Sequence, residues 1–155
     1  MATLVRLVLQ LNGFKGIEWY QAGDSSMYPG HVAIRDDADE VKIATASAAN
    51  PLGIVGCESY RDLNTAYTAG QMVPIYPCGS GVIIYVLHDD DTGATTLIRG
   101  QLFQVDDANA GCVMLWGYGD GAVATDTISG VVGRLTQDVT ISGDTSTFIP
   151  LRLSI

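Results

Sequence analysis

Charge is scarce in this chain, and positive charge most of all. Only 16% of the 155 residues are charged, and 8 Lys or Arg against 17 Asp or Glu give a formal net charge of -9. Average proteins carry roughly 25% charged residues, so a monomer of this composition would expose much uncharged surface. We therefore expect part of that surface to be buried against partners, in an oligomer or a larger assembly. Because the basic residues are scattered singly along the sequence, we expect no binding to nucleic acid or to an anionic membrane surface.

Cysteine is also scarce. The 3 cysteines, Cys57, Cys78 and Cys112, are far apart in sequence and form no CxxC pair. An odd number at such spacing predicts neither a zinc site nor a disulfide framework, but small buried thiols in a chain made in a reducing cytoplasm. The apolar start of the chain is broken by Arg6 and Gln10, is too short to span a bilayer and lacks a signal-peptide pattern. We expect no targeting segment.

The residues that enzymes use for nucleophilic and acid–base chemistry are few and badly placed. Nucleophilic catalysis needs a base beside a Ser or Cys, and the only histidines are His31 and His88. Neither lies in a Gly-x-Ser-x-Gly context. The densest polar cluster, His88–Asp91, lacks the spacing and closing glutamate of an EF-hand, and exposed carboxylates in turns gain no pKa tuning. We expect no enzymatic activity, no metal site and no cofactor.

Glycines and short apolar runs fill the stretch Pro29–Gly81. Each run is too short for a stable helix and is bounded by Gly, Pro or Asn, which is typical of β-strands. The runs are His31–Ile34, Val41–Ala44, Leu52–Val55 and Met72–Ile75. Pro74 suggests an edge strand or a bulge, and Ser59–Thr68 is the one place where we expect a short helix or helical turn. We interpret the stretch as half of a small barrel.

The second half of the chain resembles the first in outline. Ser129–Gly133 (SGVVG) resembles Leu52–Gly56 (LGIVG), and Ala110–Leu115 resembles Pro29–Ile34. This pattern predicts a barrel with two related halves, with chance similarity of Gly- and Val-rich segments as the alternative. The end of the chain alternates between apolar and other residues and predicts a strand, whose inward residues are Ile149, Leu151, Leu153 and Ile155.

The resulting fold prediction is all-β. We expect a small β-barrel or β-tulip-like domain of short strands, with at most one short helix, over residues 17–155. Residues 1–16 form an N-terminal strand or arm. The loop Trp116–Gly121 places aromatic residues between glycines, so its rings either form a contact surface or fold back onto the barrel, and the other exposed aromatic candidates present the same alternatives. The candidate partner-contact residues are Leu4, Val5, Arg6, Leu7, Trp19, Tyr20, Tyr28, Trp116 and Tyr118.

Several motifs resemble those of the capsid cement, or decoration, proteins of tailed phages and related viruses. They are an early Pro29-Gly30 followed by a strand, the turn Pro51-Leu52-Gly53-Ile54, and a stretch from Ala69-Gly70 through Val73 and Ile75 to Gly79. The resemblance implies a β-barrel-like homotrimer that is made in the host cytoplasm. It would bind the major capsid protein on the capsid exterior of the virion and stabilise the shell. The Trp116–Gly121 loop has no place in the family's pattern.

Three other functions compete with this one. A carbohydrate- or receptor-binding β-module on a virion or cell surface would use Trp116 and Tyr118 as its platform. An assembly protein of another cage or of a tail would have a similar composition. A dUTPase-like hydrolase would need a Gly-x-Ile-Asp stretch, but neither Ile17 nor Ile54 is followed by Asp.

Overall fold

The computed structural model describes residues 8–10, 16–23, 26–45, 50–58, 61–89, 95–106, 108–116, 130–143 and 146–153. Its 13 strands are β1 (Val8–Gln10), β2 (Glu18–Ala22), β3 (Val32–Arg35), β4 (Glu40–Ile43), β5 (Gly53–Val55), β6 (Met72–Pro77), β7 (Ile83–His88), β8 (Thr95–Leu97), β9 (Leu102–Val105), β10 (Val113–Leu115), β11 (Val131–Leu135), β12 (Val139–Ile141) and β13 (Thr147–Arg152). The predicted all-β class is confirmed, and the described residues contain no α-helix. None of their elements is therefore a helix that could cross a membrane.

Of the short helix or helical turn expected at Ser59–Thr68, the residues described there form only a turn. The backbone amide of Thr65 donates to the carbonyl of Asp62, and the amide of Asn64 donates to the Asp62 carboxylate. These local bonds close a turn, and such side-chain to backbone bonds compete with helix formation. The chain then returns to the barrel, where Tyr67 pairs with Met27 in an isolated bridge.

Strands β2 to β6 close into a five-stranded barrel in the order β2-β4-β3-β5-β6. Strand β2 pairs in parallel with β4, and the other pairs are antiparallel. Because side chains alternate along a strand, every second residue fills the barrel. The interior cluster comprises Ala22, Met27, Ala33, Val41, Val55, Tyr67, Val73 and Ile75. The interpretation of Pro29–Gly81 as half a barrel is therefore wrong, since it supplies four of the five strands of a complete one.

Pro74 does not lie on an edge strand. Its strand, β6, pairs with β2 on one side and with β5 on the other. On the β2 side, Pro74 lies opposite Trp19. On the β5 side, its carbonyl accepts a hydrogen bond of 2.7 Å from the amide of Gly56, the residue that follows β5. The ladder thus continues past the proline through its carbonyl, which proline retains.

A second five-stranded barrel follows, with the same topology. Its strands pair in the order β7-β10-β9-β11-β13, and β13 pairs back with β7, while β1 adds to β7. In each barrel the first strand pairs in parallel with the third. The remaining pairs are antiparallel: third with second, second with fourth, fourth with fifth, and fifth with first. The two halves of the sequence therefore each close their own barrel. Strands β8 and β12 form a separate ribbon.

The sequence similarity between the halves corresponds to the structure only in part. Leu52–Gly56 and Ser129–Gly133 both contain residues of the fourth strand of their barrel, β5 and β11. Pro29–Ile34 leads into the second strand of the first barrel, whereas Ala110–Leu115 leads into the third strand of the second. These two segments are therefore not equivalent in the topology.

The two barrels share a core. Val32, Ile54 and Tyr76 lie opposite one another across β3, β5 and β6, on the face that points away from the first barrel's interior. All three are buried in one cluster with the interior residues of the second barrel, such as Phe103 and Leu151. Burying apolar surface in this way contributes roughly 25 cal/mol per Å². The outer face of the first barrel is therefore part of the core of the whole protein.

Main-chain hydrogen bonds also join the barrels. The Val32 amide donates to the carbonyl of Gly111 at 2.8 Å, and the Gly111 amide donates to the carbonyl of Ala44 at 2.8 Å. The Leu87 amide of β7 donates to the carbonyl of Gly30 at 3.0 Å. This region, where the base of the β3–β4 hairpin meets the second barrel, is called the junction below.

Candidate functional site

The cysteine thiols are poor candidates for chemistry. Burial raises the pKa of both Cys78 and Cys112 to about 12, so these thiols are protonated at neutral pH. A thiol that stays protonated is a weak nucleophile and a weak metal ligand. Cys57 is half-buried, and its thiol donates to the carbonyl of Arg61 at 3.1 Å. Among the described residues, no group of three or more His, Cys, Asp or Glu side chains lies close enough to hold a metal ion.

Both histidines lie in structural positions. His88 is buried at the end of β7, and its ring meets the ring of Phe103 edge-on, with 5.7 Å between centroids. His31 is half-buried at the junction, where the Tyr28 amide donates to its Nδ1 and the two rings meet edge-on at 5.6 Å. Burial lowers the pKa of His31 to about 4, so its imidazole is neutral at physiological pH. Neither ring faces a side chain that it could activate as a nucleophile among its described contacts.

An exposed apolar patch lies on the outside of the first barrel. Ala22 points into the barrel, so the alternation of β2 turns Ile17 and Trp19 outward, and Met72 on β6 lies on the same face. Trp19 is 49% exposed, Met72 48% and Ile17 39%. We call these three residues the β2–β6 patch. Large apolar side chains grouped on the outside of a closed barrel are typical of a docking surface.

Tyr20 lies on the opposite face of β2 from Trp19 and is held in place. Its hydroxyl donates to the Glu18 carboxylate at 2.7 Å and accepts a bond of 3.3 Å from Arg35, whose guanidinium stacks over the ring. The hydrogen bond to Glu18 raises the pKa of Tyr20, and burial raises it further to a smaller extent. Tyr20 packs against the barrel's interior cluster, so it supports the barrel rather than presenting a free surface.

The candidate partner-contact residues are not gathered on one surface. Trp19 lies on the first barrel, Tyr28 is exposed at the junction, and Trp116 follows β10 on the second barrel. The Trp116 amide donates to the carbonyl of Leu102 at 2.9 Å, which ties the tryptophan to the second barrel. Leu4, Val5, Arg6, Leu7 and Tyr118 lie outside the described residues.

Strand pairing places two arginines side by side, which the order of residues in the sequence does not reveal. Arg134 on β11 lies directly opposite Arg152 on β13, and on its other side it lies opposite Leu102 on β9. Both arginines are exposed, and Arg134 Nη1 donates to the carbonyl of Gly100 at 3.0 Å. We call Leu102, Trp116, Arg134 and Arg152 the arginine face. The basic residues are scattered along the chain, as expected, but these two are neighbours in space.

Sequence reasoning selected Trp19 but missed Ile17 and Met72, which complete the β2–β6 patch. Ile17 lies two residues before Trp19, so the period-2 rule would have placed it on the same face. Met72 joins the patch only through the pairing of β6 with β2, for which the local sequence holds no signal.

No family model matches this chain, and no curated protein matches it either. Its function must be inferred from the surfaces of the two barrels.

Proposed function

We propose that this protein is a structural virion protein. It binds the outer surface of an icosahedral capsid as a trimeric cement protein, contacts the major capsid protein and stabilises the shell. The observation that carries the proposal is the β2–β6 patch, an exposed group of Ile17, Trp19 and Met72 on a closed barrel. The motifs that resemble cement proteins, including Pro29-Gly30 and the Pro51–Ile54 turn, support it.

The physical character of the patch suits a binding role. Trp and Met are enriched at the centres of protein interfaces, and a few such residues carry most of the binding free energy. Because the patch lies on paired strands, little conformational entropy is lost when a partner covers it. An interface of roughly 1,200–2,000 Å² can be tight without any catalytic group. A net charge of -9 keeps the free protein soluble while the patch is exposed.

We infer a non-enzymatic role for the same protein. The Cys78 and Cys112 thiols, with pKa values of about 12, are protonated, and the His31 imidazole is neutral and half-buried at the junction. Burial is the main cause of all three shifts, which favours a structural use of these side chains.

The test is co-sedimentation with capsids of the virus that carries the gene, in the expanded state. Wild-type protein should sediment with the shells and raise the temperature at which they disrupt. The double variant Trp19→Ala/Met72→Ala should bind at least about tenfold more weakly, because interface anchors of this type cost about 2 kcal/mol or more when truncated.

A matched control distinguishes a specific effect of the β2–β6 patch from the general effect of removing an exposed apolar side chain. Ile98 is 58% exposed and directly follows β8, so Ile98→Ala removes a comparable side chain elsewhere and should leave capsid binding unchanged. Circular dichroism of each variant checks that both barrels remain folded. Wild-type protein that stays in the supernatant, or a double variant that binds as tightly as wild type, would rule the proposal out.

The second candidate is a carbohydrate- or receptor-binding module centred on Trp116. This ring is 37% exposed at the end of β10, as a platform for a sugar ring requires. Glycan binding that disappears in Trp116→Ala, together with capsid binding that is absent from the wild type, would favour this candidate over the cement protein.

A further inference from the structure

The first strand of the second barrel, β7, is paired along both of its edges. On one edge β13 pairs with all of its residues. On the other edge β10 pairs only at His88, the last residue of β7. Because a strand has only two edges, β1 occupies the rest of this second edge, where it pairs antiparallel with Ile83 and Ile84. An added strand thus covers the part of β7 that β10 does not reach.

The first strand of the first barrel, β2, keeps the corresponding part of its edge open. On one edge β6 pairs with it from Glu18 to Gln21. On the other edge β4 pairs only at Gln21 and Ala22, the last two residues of β2. Among the residues that the structure describes, no strand pairs with this second edge at Glu18 and Trp19. We call this part of β2, together with the preceding Ile17, the open edge.

The open edge corresponds to the part of β7 that β1 covers. Ala22 and His88 are the last residues of β2 and β7, and each lies opposite the third strand of its barrel. Counting back along both strands from these residues places Glu18 at the position of Ile84, which pairs with Val8 of β1. The protein itself therefore shows what this position accepts, which is an extended segment that adds antiparallel to the first strand.

The main-chain groups of Trp19 point towards the open edge. The Gln21 amide donates to the carbonyl of Asp39 on the β4 side, and the Ala22 amide donates to the residue before β6, each at 2.8 Å. Main-chain groups of successive residues alternate between the two edges of a strand, so those of Trp19 lie on the same side as those of Gln21. On the β6 side Trp19 lies opposite Pro74, which has no N–H to donate. Trp19 therefore offers one donor and one acceptor to an added strand.

The side chains beside the open edge indicate the chemistry of the added segment. Ile17 and Trp19, which belong to the β2–β6 patch, are exposed on one face of it. Glu18 is exposed on the other face, where its carboxylate accepts a hydrogen bond from the Tyr20 hydroxyl. Apolar pairs and pairs of opposite charge both stabilise neighbouring strands. The segment that fits is extended, with apolar side chains beside Ile17 and Trp19 and a Lys or Arg opposite Glu18.

We propose that the open edge of β2 binds an extended segment of the capsid protein, which adds to the first barrel as a further antiparallel strand. This inference rests on the proposed function, because it names the part of the capsid protein that the β2–β6 patch contacts. The segment exchanges main-chain hydrogen bonds with Trp19 and places apolar side chains beside Ile17 and Trp19. In strand addition of this kind the main-chain bonds provide affinity, and the alternate side chains provide specificity.

Hydrogen exchange resolved to single residues tests the main-chain contact. It is measured on the full chain, free and bound to expanded capsids. In the free protein the Trp19 amide should exchange faster than the Ala22 amide, which is already bonded within the barrel. On capsids, exchange at Trp19 should slow by at least about tenfold, because its amide gains a main-chain acceptor, and exchange at Ala22 should change little.

Two variants of Ile17 separate the main-chain contact from the side-chain contact. Ile17→Pro removes a donor on the open edge just before β2, where a proline is compatible with a strand. Ile17→Ala keeps the donor and loses more of the side chain. Capsid binding should therefore be at least about tenfold weaker for Ile17→Pro than for Ile17→Ala, with circular dichroism and urea denaturation as checks of folding.

Two variants that each remove one negative charge test the residue opposite Glu18. Glu18→Gln keeps an acceptor for the Tyr20 hydroxyl and should weaken capsid binding about two- to fivefold, as expected for an exposed ion pair. Asp62→Asn removes the same charge at an exposed position in the loop before Tyr67, keeps an acceptor for the Asn64 amide, and should bind like wild type.

Two results would overturn the inference while the proposed function stands. One is capsid-bound protein whose Trp19 amide exchanges as fast as in the free protein, and the other is an Ile17→Pro variant that binds as tightly as Ile17→Ala. Protection of the Trp19 amide that rises with protein concentration in the absence of capsids would also overturn it, because another copy of this chain would then be the occupant. Wild-type protein that does not bind capsids would refute the proposed function, and this inference with it.

Discussion

Substitution of Gly30 by alanine should disrupt the junction between the barrels more than an equivalent substitution elsewhere. Gly30 has a φ of 91°, and a Cβ placed on it would overlap the ring of Phe148 on β13. Its amide donates to the carbonyl of Val55, and its carbonyl accepts from the Leu87 amide of the second barrel. The residue therefore combines a left-handed backbone with a close approach of two barrels.

The expected loss has two parts that a control can separate. A left-handed backbone costs an alanine about 1–2 kcal/mol relative to glycine. Forcing a methyl group into a packed region costs about 1–3 kcal/mol more, so Gly30→Ala should lose about 2–5 kcal/mol. Gly143 has a φ of 83°, and among the described residues no atom lies within 4 Å of the position that a Cβ would take there, so Gly143→Ala should lose only the backbone part.

Urea denaturation of both variants and of wild type measures these losses. Adding Phe148→Leu to the Gly30→Ala chain should recover much of the packing part, which a double-mutant cycle reports as a coupling between the two positions. A Gly30→Ala variant that is no less stable than Gly143→Ala would refute the packing of the Phe148 ring on this glycine. Absence of coupling with Phe148 would refute it independently.

Three further measurements test the shared core. His31 has a pKa of about 4 in the folded protein against 6.5 in the unfolded chain, so the unfolded state binds more protons between these two pH values. As pH falls from 6.5 to 4, His31 should therefore lower the free energy of unfolding by up to roughly 3 kcal/mol relative to the His31→Gln variant. Above pH 6.5 it should have no such effect. Ile54→Ala should lose about 2–5 kcal/mol in urea, whereas Ile98→Ala on the surface should lose less than about 0.5 kcal/mol. Cys78 and Cys112, whose thiols have pKa values of about 12, should react with a thiol reagent at pH 8 far more slowly in the native than in the urea-unfolded chain; equal rates would contradict their burial.

The strands could be predicted because their signals are local. The run His31–Ile34 became β3 at Val32–Arg35, and the alternation of Ile149, Leu151 and Leu153 matches three buried side chains in and after β13. Turn residues and period-2 alternation act over a few neighbours, so a sequence displays them directly.

The closure into two barrels could not be predicted in this way. It depends on which strands pair, and the decisive pairs are parallel: β2 with β4 and β7 with β10. No feature of β2 distinguishes β4 from β3 as its partner, because both are short apolar strands of the same hairpin. A barrel of two halves and two barrels in tandem therefore have the same local signals.

The surface residues likewise show local signals in the sequence, but their positions on a surface depend on how the strands pair. Trp19 and Tyr20 are adjacent aromatic residues, and only the inward position of Ala22 decides that the tryptophan is exposed while the tyrosine supports the barrel. Arg134 and Arg152 are far apart in sequence and become neighbours through the β11–β13 pair. Composition led us to expect that partners cover part of this chain, but the surfaces available to them exist only after the strands pair.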